Sequence, residues 1–164
     1  MNFAYPIVML SVAIALPAKA EENKKLKDLG ARIFKTNGVV SEINLNRSKI
    51  TDAELKILVT FKKLTDLSLE QTKITDEGLF HLANLTRLEW LNLFQTNVGD
   101  EGMAHLSKLR SLQYLPIGKT RLTDTGLAHI KKINSLKYLG LRGNKITDKG
   151  LTHLQELPHL TELH

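Results

Sequence analysis

The segment LTDLSLEQTKITDEGLFHLANL, residues 64–85, decides the fold. Leu67 and Leu69 stand two apart, the period of a strand with one buried face, and Leu79, Leu82 and Leu85 follow at intervals of three, along one face of a helix. Between them Thr75 occupies a helix N-cap position, and Asp76 puts a negative charge in the first turn, where the helix dipole favours it. The segment reads as strand, turn, helix, turn.

Outward from this segment the same spacing returns. Val40, Leu64, Leu88, Leu112, Leu136 and Leu160 mark a period of 24 residues with no insertion or deletion. The unit that starts at Leu136 repeats the pattern with Leu139, Leu141, Asn144, Ile146, Thr147, Asp148, Gly150, Leu151, Leu154 and Leu157. A fixed period in this range marks a solenoid, in which stacked units bury a core that none can bury alone. Five complete units and a partial sixth occupy residues 40–164. In the first unit Thr51-Asp52-Ala53-Glu54 forms a capping box, with Glu54 where the later units carry glycine.

The pattern L-x-x-L-x-L-x-x-T-x-I-T-D-x-G-L-x-x-L-x-x-L resembles leucine-rich repeats of the cysteine-containing subclass, shortened, with Thr72, Thr96, Thr120 and Asn144 where that subclass often has cysteine. It is also similar to repeats of secreted bacterial proteins of the planctomycete type. The resemblance covers residues 40–164 and implies an α/β right-handed solenoid, with a parallel β-sheet on the concave face and helices on the convex face. It further implies a non-catalytic scaffold that binds a protein partner through the strand face. Similar repeats also serve as intracellular substrate-recognition adaptors, a use that requires the first twenty residues not to be a signal.

Those residues read as an address. From Phe3 to Leu16 the chain has no charge, and Pro17-Ala18-Lys19-Ala20 then precedes Glu21-Glu22, the pattern of a secretory signal cleaved after Ala20. The apolar run falls short of the roughly 20 residues of a comfortable membrane span, which makes a retained anchor the lesser reading. The mature chain, without a membrane span, is expected to be secreted, or to sit in the periplasm or cell envelope. Residues 21–39 are expected to cap the solenoid: an amphipathic helix around Leu26 and Leu29 that ends at Gly30, a strand over 31–35, and a turn at Asn37-Gly38. At the other end the partial sixth strand carries no polar cap, and self-association at that edge is one expectation.

Composition removes several function classes. The chain has no cysteine, which excludes disulfides, thiolate catalysis and zinc–thiolate sites. Its formal charge of +6, or +5 without Lys19, is spread among acidic residues and not gathered into the stripe that phosphate binding needs. Nucleic acid is therefore not an expected partner. Neither a nucleophile elbow, a phosphate-cradling glycine loop nor a zinc-binding helix motif occurs, so no catalytic residue and no cofactor are expected.

The strand alternation supplies a candidate binding face. If Leu91 and Leu93 point inward, Trp90, Asn92 and Phe94 point outward. The unbroken period then aligns Trp90, Tyr114 and Tyr138 in neighbouring strands about 4.8 Å apart, as an aromatic column. Pro116 and Gly140 beside it predict a shallow dip, with Phe94 and Arg142 on its far side. Toward the N-terminus the same face presents Glu42, Asn44, Asn46, Asp66, Ser68 and Glu70. Aromatics near one arginine have the composition of a protein interface, with Arg142 pairing a carboxylate and Asp66 and Glu70 setting orientation. The rings suit a glycan or cell-wall polymer as the alternative, and cross-strand stabilisation of the sheet is the bland reading.

Three further columns follow the period. His81, His105, His129 and His153 align, but helices about 8–10 Å apart leave too wide a gap for one ion with metal–nitrogen bonds of about 2.0–2.1 Å, so no metal is expected. Lys49, Lys73, Arg121 and Lys145 lie three residues before the aspartates Asp52, Asp76, Asp124 and Asp148; local charge balance is the bland reading of this column and a basic rim for an anionic polymer the sharper one. The aspartates, with Asp100, are explained by their place at helix starts.

Overall fold

A computed structural model of the chain describes residues 20–164. The expected secretory signal lies outside these residues apart from Ala20. Helix α1 spans 20–28, and a hairpin of β1 (Arg32–Thr36) and β2 (Val39–Asn44) follows. Asn37 and Gly38 both take positive φ, 51° and 77°, at its tip, as a two-residue hairpin turn requires. The repeat then alternates α2 (Asp52–Leu55), β3 (Asp66–Ser68), α3 (Asp76–Leu82), β4 (Trp90–Asn92), α4 (Asp100–Leu106), β5 (Tyr114–Pro116), α5 (Asp124–Ile130), β6 (Tyr138–Gly140), α6 (Asp148–Leu151) and β7 (Glu162–Leu163). Short 3-10 turns, Lys56–Thr60 and Thr152–Glu156, extend α2 and α6.

All seven strands form one sheet in sequence order. β1 pairs antiparallel with β2, and every later pair is parallel, with register partners 24 residues apart such as Leu67↔Leu91 and Leu115↔Leu139. Between β4 and β5 the pairing narrows to Trp90↔Tyr114. Pro116 has no amide hydrogen to give to the neighbouring strand there. This is the α/β leucine-rich-repeat solenoid that the resemblance of the repeats implies.

The core is the stack of inward leucines. Leu67, Leu91, Leu115 and Leu139 from the strands, with Leu69 and Leu93 just past them, meet Leu79, Leu82, Leu106, Leu127 and Ile130 from the helices, all fully buried. Each contributes about 1.5–3 kcal/mol relative to an exposed side chain. At the position where the related subclass carries cysteine, Thr72 and Thr96 are buried and donate from Oγ1 to the carbonyls of Leu69 and Leu93, at 2.6 and 2.8 Å. A hydroxyl fits there because a strand carbonyl is waiting for it.

The helix-start aspartates do more than complement dipoles. Asp100 accepts from the Thr123 amide at 2.8 Å and the Gly126 amide at 3.0 Å through Oδ1, and from the Thr123 hydroxyl at 2.6 Å through Oδ2. Asp52 holds Thr75 in the same way, Asp124 holds Thr147, and Asp76 receives the Gly99 amide. The carboxylates therefore form a ladder between repeats, and their place at helix starts explains only part of them. Thr75 and Thr147 sit at N-cap positions, but their hydroxyls serve the preceding repeat and cap nothing in their own. Hydrogen bonds from Thr147 hold the Asp124 carboxyl below its ordinary range.

The ladder also explains the repeated glycine. A Cβ on Gly78, Gly102, Gly126 or Gly150 would lie closer than 3.0 Å to the Oδ1 of the preceding aspartate. Glu54, in the first unit, closes the capping box, accepting from the Thr51 amide at 2.9 Å and from the Thr51 hydroxyl.

Candidate functional site

Register places the outward side chains in rows across the strands. The first row runs Glu42, Asp66, Trp90, Tyr114, Tyr138, Glu162. The expected aromatic column is therefore assembled, with carboxylates on both sides of it. Glu162 was not among the expected site residues, although one further period from Tyr138 reaches it. Among the described residues neither Asp66, Glu70 nor Glu162 has a cationic partner within salt-bridge distance, and the ion pairs present are Lys25–Glu21 and Lys131–Glu156. Asp66 accepts from the Thr65 hydroxyl at 2.6 Å.

The rings are not equally available. Tyr114 is 39% exposed, whereas Trp90, Phe94 and Tyr138 are half-buried. Among the described residues the close ring pairs are Phe80–His81, Phe80–His105 and Tyr138–His164, so the column shares a register without stacking on itself. Tyr138 lies 5.5 Å from the His164 ring. The expected dip at Gly140 is occupied: a Cβ there would sit 3.0 Å from the Tyr138 Oη. The absent side chain is what gives the phenol somewhere to lie.

Phe94 is fixed in a similar way. A Cβ on Gly118 would meet two Phe94 ring atoms at 3.1 Å, and the Lys119 Nζ stands 5.5 Å from the ring centroid. Such a cation–π contact contributes about 0.5–1 kcal/mol at an exposed site. Lys119 was missed by sequence reasoning because it follows the strand, where alternation no longer predicts direction. Lys119 belongs to a column with positive φ that also contains Arg47, Gln71 and Gln95. There Arg47 Nε donates to Gln71 Oε1 at 2.7 Å and Gln71 Nε2 to Gln95 Oε1 at 3.2 Å, an exposed ladder beside the face.

Asn92 requires a correction. It is only 7% exposed; its Oδ1 accepts the Phe94 amide at 2.9 Å and its Nδ2 donates to Glu70 Oε2 at 3.2 Å. An amide committed at both ends shapes the face and cannot serve as a contact. Glu70 is thereby oriented, and Arg142 stays exposed at the far side.

Away from the strands, the aligned histidines are half-buried on their helices, and Phe80, 59% exposed, lies edge-on between the His81 and His105 rings at 5.7 and 5.6 Å. Among the described residues no group of three or more His, Asp or Glu side chains is arranged to hold a metal ion. In the basic column Arg121 donates from Nε and Nη2 to the Asn97 carbonyl, so it binds its own backbone. No helix among the described residues is long and apolar enough to cross a membrane.

Comparison with known proteins bears on the fold and the family. The family described as Leucine Rich repeat matches residues 62–83 and 132–154. An internalin (inlF) of Listeria monocytogenes superposes with a TM-score of 0.66 at 26% identity, over 75% of this chain and 34% of its own. Internalin C2 of the same organism gives 0.62 at 30% identity, over 75% and 49%. The ectodomain of the Arabidopsis thaliana receptor kinase GASSHO1/SCHENGEN3 shares the fold at 20% identity, with a TM-score of 0.59, over 80% of this chain and 16% of its own. This chain thus spans about a third to a half of the length of the internalins it matches. No curated protein sequence matches it. With its 24-residue period, its single sheet in sequence order and these likenesses, the chain is built of leucine-rich repeats and has their fold.

Proposed function

We propose that the chain is a non-catalytic scaffold that works outside the cytoplasm and holds a protein partner against its strand face. The carrying observation is the first row of that face. Neighbouring strands share one register and one core pattern, yet at one register position the side chains change from Glu42 and Asp66 to Trp90, Tyr114 and Tyr138 and back to Glu162. Packing demands no such change, since the row points away from the core. Rings with carboxylates on either side match a segment that carries apolar side chains and a cation at each edge. Tyr114, Trp90 and Tyr138 are the anchors, Phe94 extends the apolar surface, Arg142 takes a carboxylate, and Asp66 and Glu70 set orientation. The leucine-rich-repeat fold, through the resemblance of the repeats, supports a binding scaffold, and the signal expected over residues 1–20 supports a place outside the cytoplasm.

A glycan or cell-wall polymer is the second reading, favoured by the open ring of Tyr114 next to Pro116, a flat apolar surface of the kind sugar faces stack on. Capture from cell-envelope extract with the full chain, beside a Trp90→Ala, Tyr114→Ala variant shown by circular dichroism to be folded, tests both. One protein retained by the wild type, lost by the variant and weakened by salt supports the first reading. A polysaccharide whose retention ignores salt supports the second. The same material on wild type and variant overturns the assignment of the face.

A further inference from the structure

The N-terminal end of the solenoid carries a cavity that the strand face does not use. It holds about 520 Å³ and lies between α1, the tip of the β1–β2 hairpin and the segment that joins the first 3-10 turn to β3. Its apolar wall comes from Val39, Val40 and Phe61, and Lys35, Lys62 and Lys63 surround it. A concave space of this size, mostly apolar with a few converging polar groups, has the dimensions of a small-molecule site.

Two features distinguish it from a packing fault. Among the described residues none of the three lysines has a carboxylate within salt-bridge distance, and no carboxylate lines the space. Glu22, close by, is turned to the Thr60 hydroxyl at 2.8 Å. Three uncompensated cations around one opening repel each other unless an anion joins them. In addition, Asn23 lines the cavity with its Oδ1 buried and without a hydrogen-bond donor. A buried acceptor left unmet is costly, and an occupant that brings a hydroxyl or a bound water with its acid group relieves it.

We propose that this cavity binds a small amphipathic anion, with its acid group among Lys35, Lys62 and Lys63 and its apolar body against Val39, Val40 and Phe61. The site is independent of the partner-binding reading of the strand face. Three like charges and one apolar wall make the discrimination specific: an uncharged molecule with the same apolar body loses the lysines, and a cationic one is repelled by them.

Calorimetric titration of the full chain with octanoate, octanol and octylammonium tests this. The expected result is one saturable octanoate site, with affinity at least about tenfold above that for either chain-matched probe. A Lys35→Glu, Lys62→Glu, Lys63→Glu variant, with its circular dichroism and melting unchanged, is expected to lose octanoate by at least about tenfold, while Trp90→Ala keeps it. The lysines are exposed, so their replacement is compatible with folding. Absence of saturable octanoate binding, equal affinity for the three probes, or unchanged affinity in the lysine variant would each overturn the proposal.

Discussion

At the helix starts the repeats reuse one aspartate contact, with Gly99 standing once in place of the threonine, and on the strand face neighbouring repeats do different things. The ladder from Asp52 to Thr75, Asp100 to Thr123 and Asp124 to Thr147 uses the same atoms at nearly the same distances each time. Across the sheet, the row that joins the same repeats runs through two carboxylates, an indole, two phenols and a carboxylate. Both regions obey one period and both are partly solvent-exposed, so exposure does not separate them. The difference is whether a side chain has a partner within the chain. The aspartate that collects donors from the next repeat is the same residue in each unit, and outward positions with no such bond are free to differ.

The comparison breaks first if the ladder is cut. Asp100→Ala removes one acceptor for three donors, and we expect a loss of about 3 kcal/mol in urea unfolding, because hydrogen bonds to a charged group count for more than neutral ones. A loss no greater than that of an ordinary surface substitution would reduce the ladder to an ornament of duplication. Next comes the glycine beneath it. Gly126→Ala drives a Cβ onto Asp100 Oδ1 and the Leu122 side chain, and a destabilisation of about 1–3 kcal/mol is expected by the same measurement.

Acid is a gentler probe of the same contact. The Asp124 carboxyl, held below its ordinary range by the Thr147 hydroxyl and amide, binds protons less readily in the folded chain than in the unfolded one. Its stabilising contribution is therefore complete above the unfolded carboxylate range and is lost as pH falls through the lowered folded value. Thr147→Val removes the hydroxyl, so its Asp124 titration, followed by carboxyl-carbon NMR, is expected to move up toward the ordinary value. No movement would mean that the amide alone sets it.

The smallest effect is expected on the strand face. Trp90→Ala and Tyr114→Ala each remove cross-strand contacts and are expected to cost under about 1 kcal/mol of stability while abolishing partner capture. If either unfolds the sheet, the row is structural after all and the contrast with the ladder disappears.

Much of this was legible before any coordinate. The repeat strands, helices and alignment of Trp90, Tyr114 and Tyr138 follow from one period and from alternation, which are local properties repeated without interruption, and the hairpin tip follows from Asn37-Gly38. Glu162 was legible too, one period beyond Tyr138. What was not legible depends on distances between repeats. Asn92 looked outward by alternation, yet its neighbours on the same face bury it and occupy its amide. The dip expected at Gly140 is covered because a flexible phenol folds over the smallest residue nearby.

By itself, then, the sequence determined which residues face the core and which strands are neighbours, because hydrophobic periodicity acts along the chain and a constant repeat length transmits it. Only the tertiary structure decided what the remaining polar residues are for. A helix-start aspartate, a threonine 23 residues later and a glycine 26 residues later are separate choices along the chain. They become one hydrogen-bonded unit when stacking brings two repeats together, and the same stacking gathers Lys35, Lys62 and Lys63 around a cavity that no stretch of sequence contains.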